Sequence, residues 1–229
     1  ETPLPTDEPT VELINTPMPT IFIVFTATLA PWTDHVYAEV TIPAGSTGSA
    51  TANCASGVVV SGGYMTHPDV FVNSHSKSGN GWKAYARNNG GSSRILTVHA
   101  TCLHHMGGPS TTQVSQQVTA PGGDMGHAKV ECPAGSVATG GGWLVGSSTK
   151  MQMLLSKKTT NGWQVIASNS GSTGLPVKAY AICLSGISAS TELKTKLTII
   201  SGGSTGNASP VCGTGKHVTG GGFFAPGDL

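Results

Sequence analysis

A unit of about eighty residues recurs along this chain, and a sequence that repeats at that period folds as repeated modules. The stretch "VTAPGGDMGHAKVECPAGSVATGGGW", from Val118, meets "VTIPAGSTGSATANCASGVVVSGGYM", from Val40. It meets "TIISGGSTGNASPVCGTGKHVTGGGF", from Thr198, in the same way. Cys54, Cys132 and Cys212 superpose, as do Gly57, Gly135 and Gly215. The pairs Gly62-Gly63, Gly140-Gly141 and Gly220-Gly221 follow. The second half of the unit is written twice: "NGWKAYARNNGGSSRILTVHATC" ends at Cys102 and "NGWQVIASNSGSTGLPVKAYAIC" ends at Cys183. The third copy shows its first half alone.

Short Val, Ile, Thr and Tyr runs lie between Gly, Asn and Ser clusters, and no window carries apolar residues at helical spacing. The fold expected is all-β with almost no helix: tandem disulfide-tied β-sandwich or prism-like repeats, preceded by an extended N-terminal strand. The division expected is an arm over residues 1–39 with a donor-type strand over 21–30, repeat one over 40–112, repeat two over 113–193 and an incomplete repeat three over 194–229. Asn80-Gly81 and Asn161-Gly162 read as tight hairpin turns with positive φ. Trp82 and Trp163 then open strands. The Gly-Gly-Gly runs read as a bulge, or as a place where another backbone or ring packs closely, because no helix signal follows to make them a phosphate loop.

Five cysteines occupy matching repeat positions. Cys54 with Cys102 and Cys132 with Cys183 would each tie the two halves of one unit, a constraint worth about 4 kcal/mol apiece. No paired Cys/His spacing suggests zinc. Disulfides imply an oxidising compartment, so the protein is expected to be secreted or on a cell surface. Cys212 is left unpaired, either a free buried thiol or one that pairs with another chain.

The unit resembles one found in predicted secreted bacterial proteins, many of them actinobacterial: Cys-Pro-x-Gly, then Val-x-Gly-Gly-Gly, Gly-Trp, an Asn, and Tyr-Ala-x-Cys. Cys132, Pro133, Gly135, Gly140, Gly141, Gly142, Gly162, Trp163, Asn169, Tyr180, Ala181 and Cys183 carry the resemblance. Residues 40–102 match more loosely, with Tyr64 for the third glycine and His99 for the tyrosine. The resemblance implies secretion and an all-β disulfide unit, and no catalytic residue.

The first 39 residues hold Glu1, Asp7, Glu8, Glu12, Asp34 and Glu39 and no Lys or Arg, whereas all 12 Lys/Arg follow with five acids. An acidic arm therefore precedes a basic body, and the two attract within a chain or between chains. Prolines at 3, 5, 9, 17 and 19 favour extended backbone. Thr2, Thr6, Thr10, Thr16 and Thr20 beside them suit O-glycosylation. "IFIVFTATLA" lacks the basic segment that precedes a signal-peptide core, so the chain is read as already processed. Ile21, Phe22, Ile23, Val24 and Phe25 form an apolar run that as a strand needs burial on both faces. "VFTATLA" also falls on the closing strands "TVHATCL" and "KAYAICL": Ala27 meets Ala100 and Ala181, and Leu29 meets Cys102 and Cys183. The arm thus reads as the closing strand of unit three. Its acceptor would be Cys212, Val218, Gly220, Gly221, Gly222, Phe223 and Phe224.

Chemistry has few footholds. Asp69, Asp124 and Glu131 are the acids between residues 40 and 191, and none recurs between units, against a glycosidase pair. The adjacent His104 and His105 would face opposite sides of a strand, away from a shared metal. The remaining histidines read as loop residues, except His99, which reads as a packing position. No nucleophile elbow occurs. Scattered basic residues and 6% aromatics argue against a nucleic-acid platform. No run of residues is long and apolar enough for a helical membrane span. No enzyme activity, metal or cofactor is expected. Trp82 with Asn88 and Trp163 with Asn169 are either core and turn residues or aromatic–amide pairs that contact sugar. The expected role is a structural subunit of an extracellular filament, a homopolymer assembled head-to-tail by strand donation and carrying covalent glycans. The alternative is a secreted carbohydrate-binding or adhesive module closed within one chain.

Overall fold

The computed structural model describes residues 30–147 and 149–225 of the 229. The expected donor strand, Ile21 to Leu29, and the five arm threonines lie outside the described residues. Those described form an all-β fold with no helix and two disulfides.

Unit one comprises β1 (Trp32–Ile42), β2 (Thr47–Asn53), β3 (Val58–Thr66), β4 (Val70–Ser78), β5 (Gly81–Asn88) and β6 (Arg94–His104). Unit two repeats it as β7 (Ser110–Ala120), β8 (Met125–Glu131), β9 (Val137–Val145), β10 (Met151–Lys158), β11 (Gly162–Asn169) and β12 (Leu175–Ser185). In each unit one antiparallel sheet places the last strand between the first and third: β1-β6-β3, and β7-β12-β9. The other sheet places the fifth strand between the second and fourth: β2-β5-β4, and β8-β11-β10. Inward side chains of both sheets make one core per unit, with Trp82, Leu96, Val98 and Ala100 in unit one and Trp163, Val165, Val177 and Ala179 in unit two. Cys54–Cys102 and Cys132–Cys183 each join the two sheets of a unit, as expected, and place folding in an oxidising environment.

β1 begins at Trp32, so residues 32–39 belong to unit one and not to the arm. Period-two alternation puts Val36, Ala38 and Val40 against the core. Two of the acids assigned to the arm are therefore strand residues. Asp34 pairs with His104 at 3.0 Å, and Glu39 accepts from Thr97 Oγ1 at 2.9 Å. The boundary at 112 falls inside β7 for the same reason: proline and charge marked the arm, but strand alternation sets the start of each unit.

The Asn-Gly turns are also corrected. Among the described residues no non-glycine has positive φ; in unit one it is Gly79, at 58°, ahead of the asparagine. Asn80 instead reaches across to the β2–β3 loop. Its Oδ1 accepts from Val59 N, and its Nδ2 donates to Cys54 O and Gly57 O. Asn161 does the same with Ala138 N and Ser136 O. Gly81 and Gly162 are strand residues in close quarters: a Cβ on Gly162 would lie 2.0 Å from Val130 O.

The units join edge to edge. β4 pairs with β9 through Ser74↔Leu144 and His75↔Trp143. A short β13 (Phe223–Phe224) pairs with β10 through Leu155↔Phe224 and Ser156↔Phe223. Repeat equivalence makes Phe223 the counterpart of Trp143, and Ser156 the counterpart of His75, so the second junction copies the first. Thr139 Oγ1 donates to Val60 O across the first boundary at 2.8 Å. Gly220 packs on Thr139 O, Gly140 Cα and Ser61 Oγ. The third strands of all three units thus converge on one line.

Candidate functional site

Unit three is docked but open. Its two turns keep the conformations of the complete units. Ser204 N donates to Ser201 O, as Ser46 N does to Pro43 O and Asp124 N to Pro121 O. Lys216 N donates to Gly213 O, as Ser136 N does to Pro133 O. Gly203 has φ of 74°, like Gly45 at 69° and Gly123 at 75°; Gly215, at 73°, matches Gly57 and Gly135. Between these turns, residues 186–222 contain no strand. The local instructions of the unit are obeyed while the ladder partners are missing.

The expected acceptor residues share this surface. Phe223 packs edge-on against Trp143 at 5.8 Å, and Gly222 lies against Ser156 O. Leu193, Leu197, Ile199, Ile200, Val211 and Val218 are exposed; Ile200 and Val218 hold the places of Ala120 and Ala138, which are buried in unit two. Cys212 is a free, exposed thiol where Cys54 and Cys132 are bridged.

The glycines locate what is missing. A Cβ on Gly62 would lie 2.2 Å from Trp82 Cγ, and one on Gly141 would lie 2.3 Å from Trp163 Cγ. These are the close ring approaches expected of the glycine runs, and a bulge accompanies each, at Val60 on β3 and at Thr139 on β9. A Cβ on the third equivalent, Gly221, would meet nothing within 4 Å among the described residues.

The sugar-contact assignment fails. Trp82, Asn88, Trp163 and Asn169 are all buried. The indole of Trp82 donates to His75 Nδ1 and that of Trp163 to Ser156 Oγ, so neither ring offers a face to solvent. Asn88 donates to Ile42 O and Ser92 O, and its Oδ1 accepts from Gly90 N. Asn169 repeats this with Ala120 O, Thr173 O and Gly171 N. Both asparagines tie the first hairpin of a unit to the β5–β6 or β11–β12 connection.

Nothing in the residues around His75 marks it as buried, yet it is. It sits on β4 among Tyr64, Trp82 and Trp143, and burial lowers its pKa from 6.5 to about 3. Burial likewise pushes the Tyr64 hydroxyl up to about 12. His104 stacks on Trp32 at 3.7 Å, while His105 accepts from Gly107 N, so the two adjacent histidines are held by separate partners. Among the described residues, no group of three or more His, Cys, Asp or Glu side chains is placed to hold a metal ion, and no helix is long and apolar enough to cross a membrane. Comparison with protein-family models, with curated proteins and with solved structures returned no match.

Proposed function

We propose that this chain is a structural subunit of an extracellular filament or surface appendage, in which the arm of one copy completes the open third unit of the next. The observation that carries this reading is Gly221, which no described residue covers, whereas Gly62 and Gly141 lie under rings. In the complete units, the strand between the first and third turns Leu96, Val98, Ala100 and Cys102 inward, or Val177, Ala179, Ala181 and Cys183. The arm supplies Ile23, Phe25, Ala27 and Leu29 at those places. Burying the three large ones contributes about 5–9 kcal/mol before ordering costs.

Connection length favours a neighbour over the same chain. β6 reaches β7 through residues 105–109, with Gly108 at φ 67°, and Gly186 at φ 83° follows β12. With Leu29 on Cys102, Pro31 falls on His104, and β1 starts at Trp32. No residues remain for a turn, so the chain runs straight from a strand lent to one molecule into β1 of its own. Such a contact is head-to-tail and need not close. The acids Glu1, Asp7, Glu8 and Glu12 of the arm also complement Lys194, Lys196 and Lys216 of unit three. In this reading the leader around Thr2 and Thr6 stays outside the acceptor, where O-linked glycans are accommodated.

Negative-stain microscopy of the full chain tests this directly. Filaments are expected, and deletion of residues 1–30 should leave folded, disulfide-bonded monomers. Isolated particles from the full chain, or filaments that persist after the deletion, would overturn the reading.

A further inference from the structure

The described residues of unit three correspond to the first three strands of a unit, and the arm is longer than one strand. We infer that residues 9–30 of a second copy supply the whole fifth-and-sixth-strand hairpin of unit three, with Asn15 in the place of Asn88 and Asn169; this rests on the strand donation proposed above.

The alignment that sets Leu29 on Cys102 and Cys183 fixes the rest of the arm without a gap. Asn15 then falls on Asn88 and Asn169. Val11 and Leu13 fall on Ala84 and Ala86 of β5 and on Val165 and Ala167 of β11, all four buried. Residues 16–20, "TPMPT", fall on the connections at 89–93 and 170–174. Pro17 and Pro19 therefore occupy the connection, while 10–16 and 20–30 are free of proline. A residue without an N–H belongs in that connection and not in a central strand.

The acceptor carries matching features. Asn88 N donates to Ser46 O and Asn169 N to Asp124 O, while their side chains donate to Ile42 O and Ala120 O. The unit-three equivalents of those carbonyls are Ser204 O and Ile200 O, both on exposed residues beside a turn that is already formed. Ala86 stands opposite Gly48 and Ala167 opposite Gly126; the same register sets Leu13 opposite Gly206. Tyr85 opposite Ser49 and Ile166 opposite His127 set Glu12 opposite Asn207, away from the core.

Two departures from the pattern are coherent. Pro9 stands where the complete units have Trp82 and Trp163, and those indoles donate to His75 and Ser156 on the fourth strand. A tryptophan there would need such an acceptor for its N–H, and proline needs none. A proline ring covers Gly221 with no donor to satisfy. Pro17 cannot give the N–H that Gly90 and Gly171 give to the asparagine Oδ1, so Asn15 makes one bond fewer.

The test pairs Glu12→Cys with Asn207→Cys in a Cys212→Ser background, oxidised after assembly. Residues directly opposed on antiparallel strands lie within disulfide reach. A ladder of cross-linked multimers that collapses on reduction is expected, and Asn15→Ala should lower the melting temperature of the filaments while Met18→Ala, in the connection, leaves it unchanged. Filaments without a ladder would mean that a single strand is donated: the hairpin is then wrong and the filament reading stands. Absence of filaments from the unsubstituted chain removes both.

Discussion

Trp163 covers Gly141 so closely that a Cβ on the glycine would stand 2.3 Å from the indole Cγ. The same relation holds between Trp82 and Gly62, and it is missing at Gly221. Gly141→Ala or Gly62→Ala should therefore destabilise the subunit by about 3 kcal/mol through overpacking, whereas Gly221→Ala should leave the melting temperature of an arm-deleted monomer unchanged. Calorimetry on the three variants checks this, and an equal loss at Gly221 would mean that a ring already sits there.

Asn169 satisfies one buried carbonyl, one part-buried carbonyl and one N–H. Asn169→Ala strands all three and should cost about 3 kcal/mol. Asn88→Ala should match it within about 1 kcal/mol if the two sites are the same device. Urea denaturation with intact disulfides gives both values.

Each disulfide constrains a loop of about fifty residues, which corresponds to about 4 kcal/mol in the chain-entropy account. Reduction should lower the urea midpoint sharply. Blocking Cys212 with a maleimide in the arm-deleted monomer should not, because that thiol is exposed and unbridged. A midpoint that shifts when Cys212 is blocked would contradict the open unit described here.

His75 makes stability depend on pH. Its folded pKa is about 3 against 6.5 for the free side chain. The unfolded chain binds a proton below about 6.5 that the folded chain refuses, so stability is full above that pH and falls as pH drops toward 3. The limiting slope is about 1.4 kcal/mol per pH unit. Asp69, Glu131 and Glu192 have lowered pKa values and add acid sensitivity of their own below the usual carboxylate range. Melting measured between pH 6.5 and 5 isolates the histidine. His75→Ser, which copies Ser156, should flatten that window; an unchanged slope would assign it to other groups.

Much of the fold was legible because the repeat fixes phase. Cys54, Cys132 and Cys212 set the register of three units, and with Cys102 and Cys183 they set both bridges. The glycine runs, expected to mark a bulge or a close approach of backbone or ring, meet both a bulge and an indole in units one and two. Asn80 misled, since Asn-Gly is a strong turn signal and the long-range bonds of the side chain to Val59 and Cys54 leave no local mark. Trp32 to Glu39 misled because acids and proline nearby outweighed an alternation that becomes plain only beside β6. Burial of His75 depends on the junction between β4 and β9, which no single strand encodes. The open face of unit three could be expected from the repeat, but the bareness of Gly221 is known only from its surroundings.

Leu29→Cys gives the most direct measurement, because in the full chain it recreates the missing bridge to Cys212. Oxidised and run without reductant, the variant should show a ladder of dimers, trimers and higher multimers that collapses to one band on reduction, while the unsubstituted chain shows none. A variant that stays monomeric, whether its thiols remain free or close within one chain, would contradict completion of one copy's third unit by the arm of another.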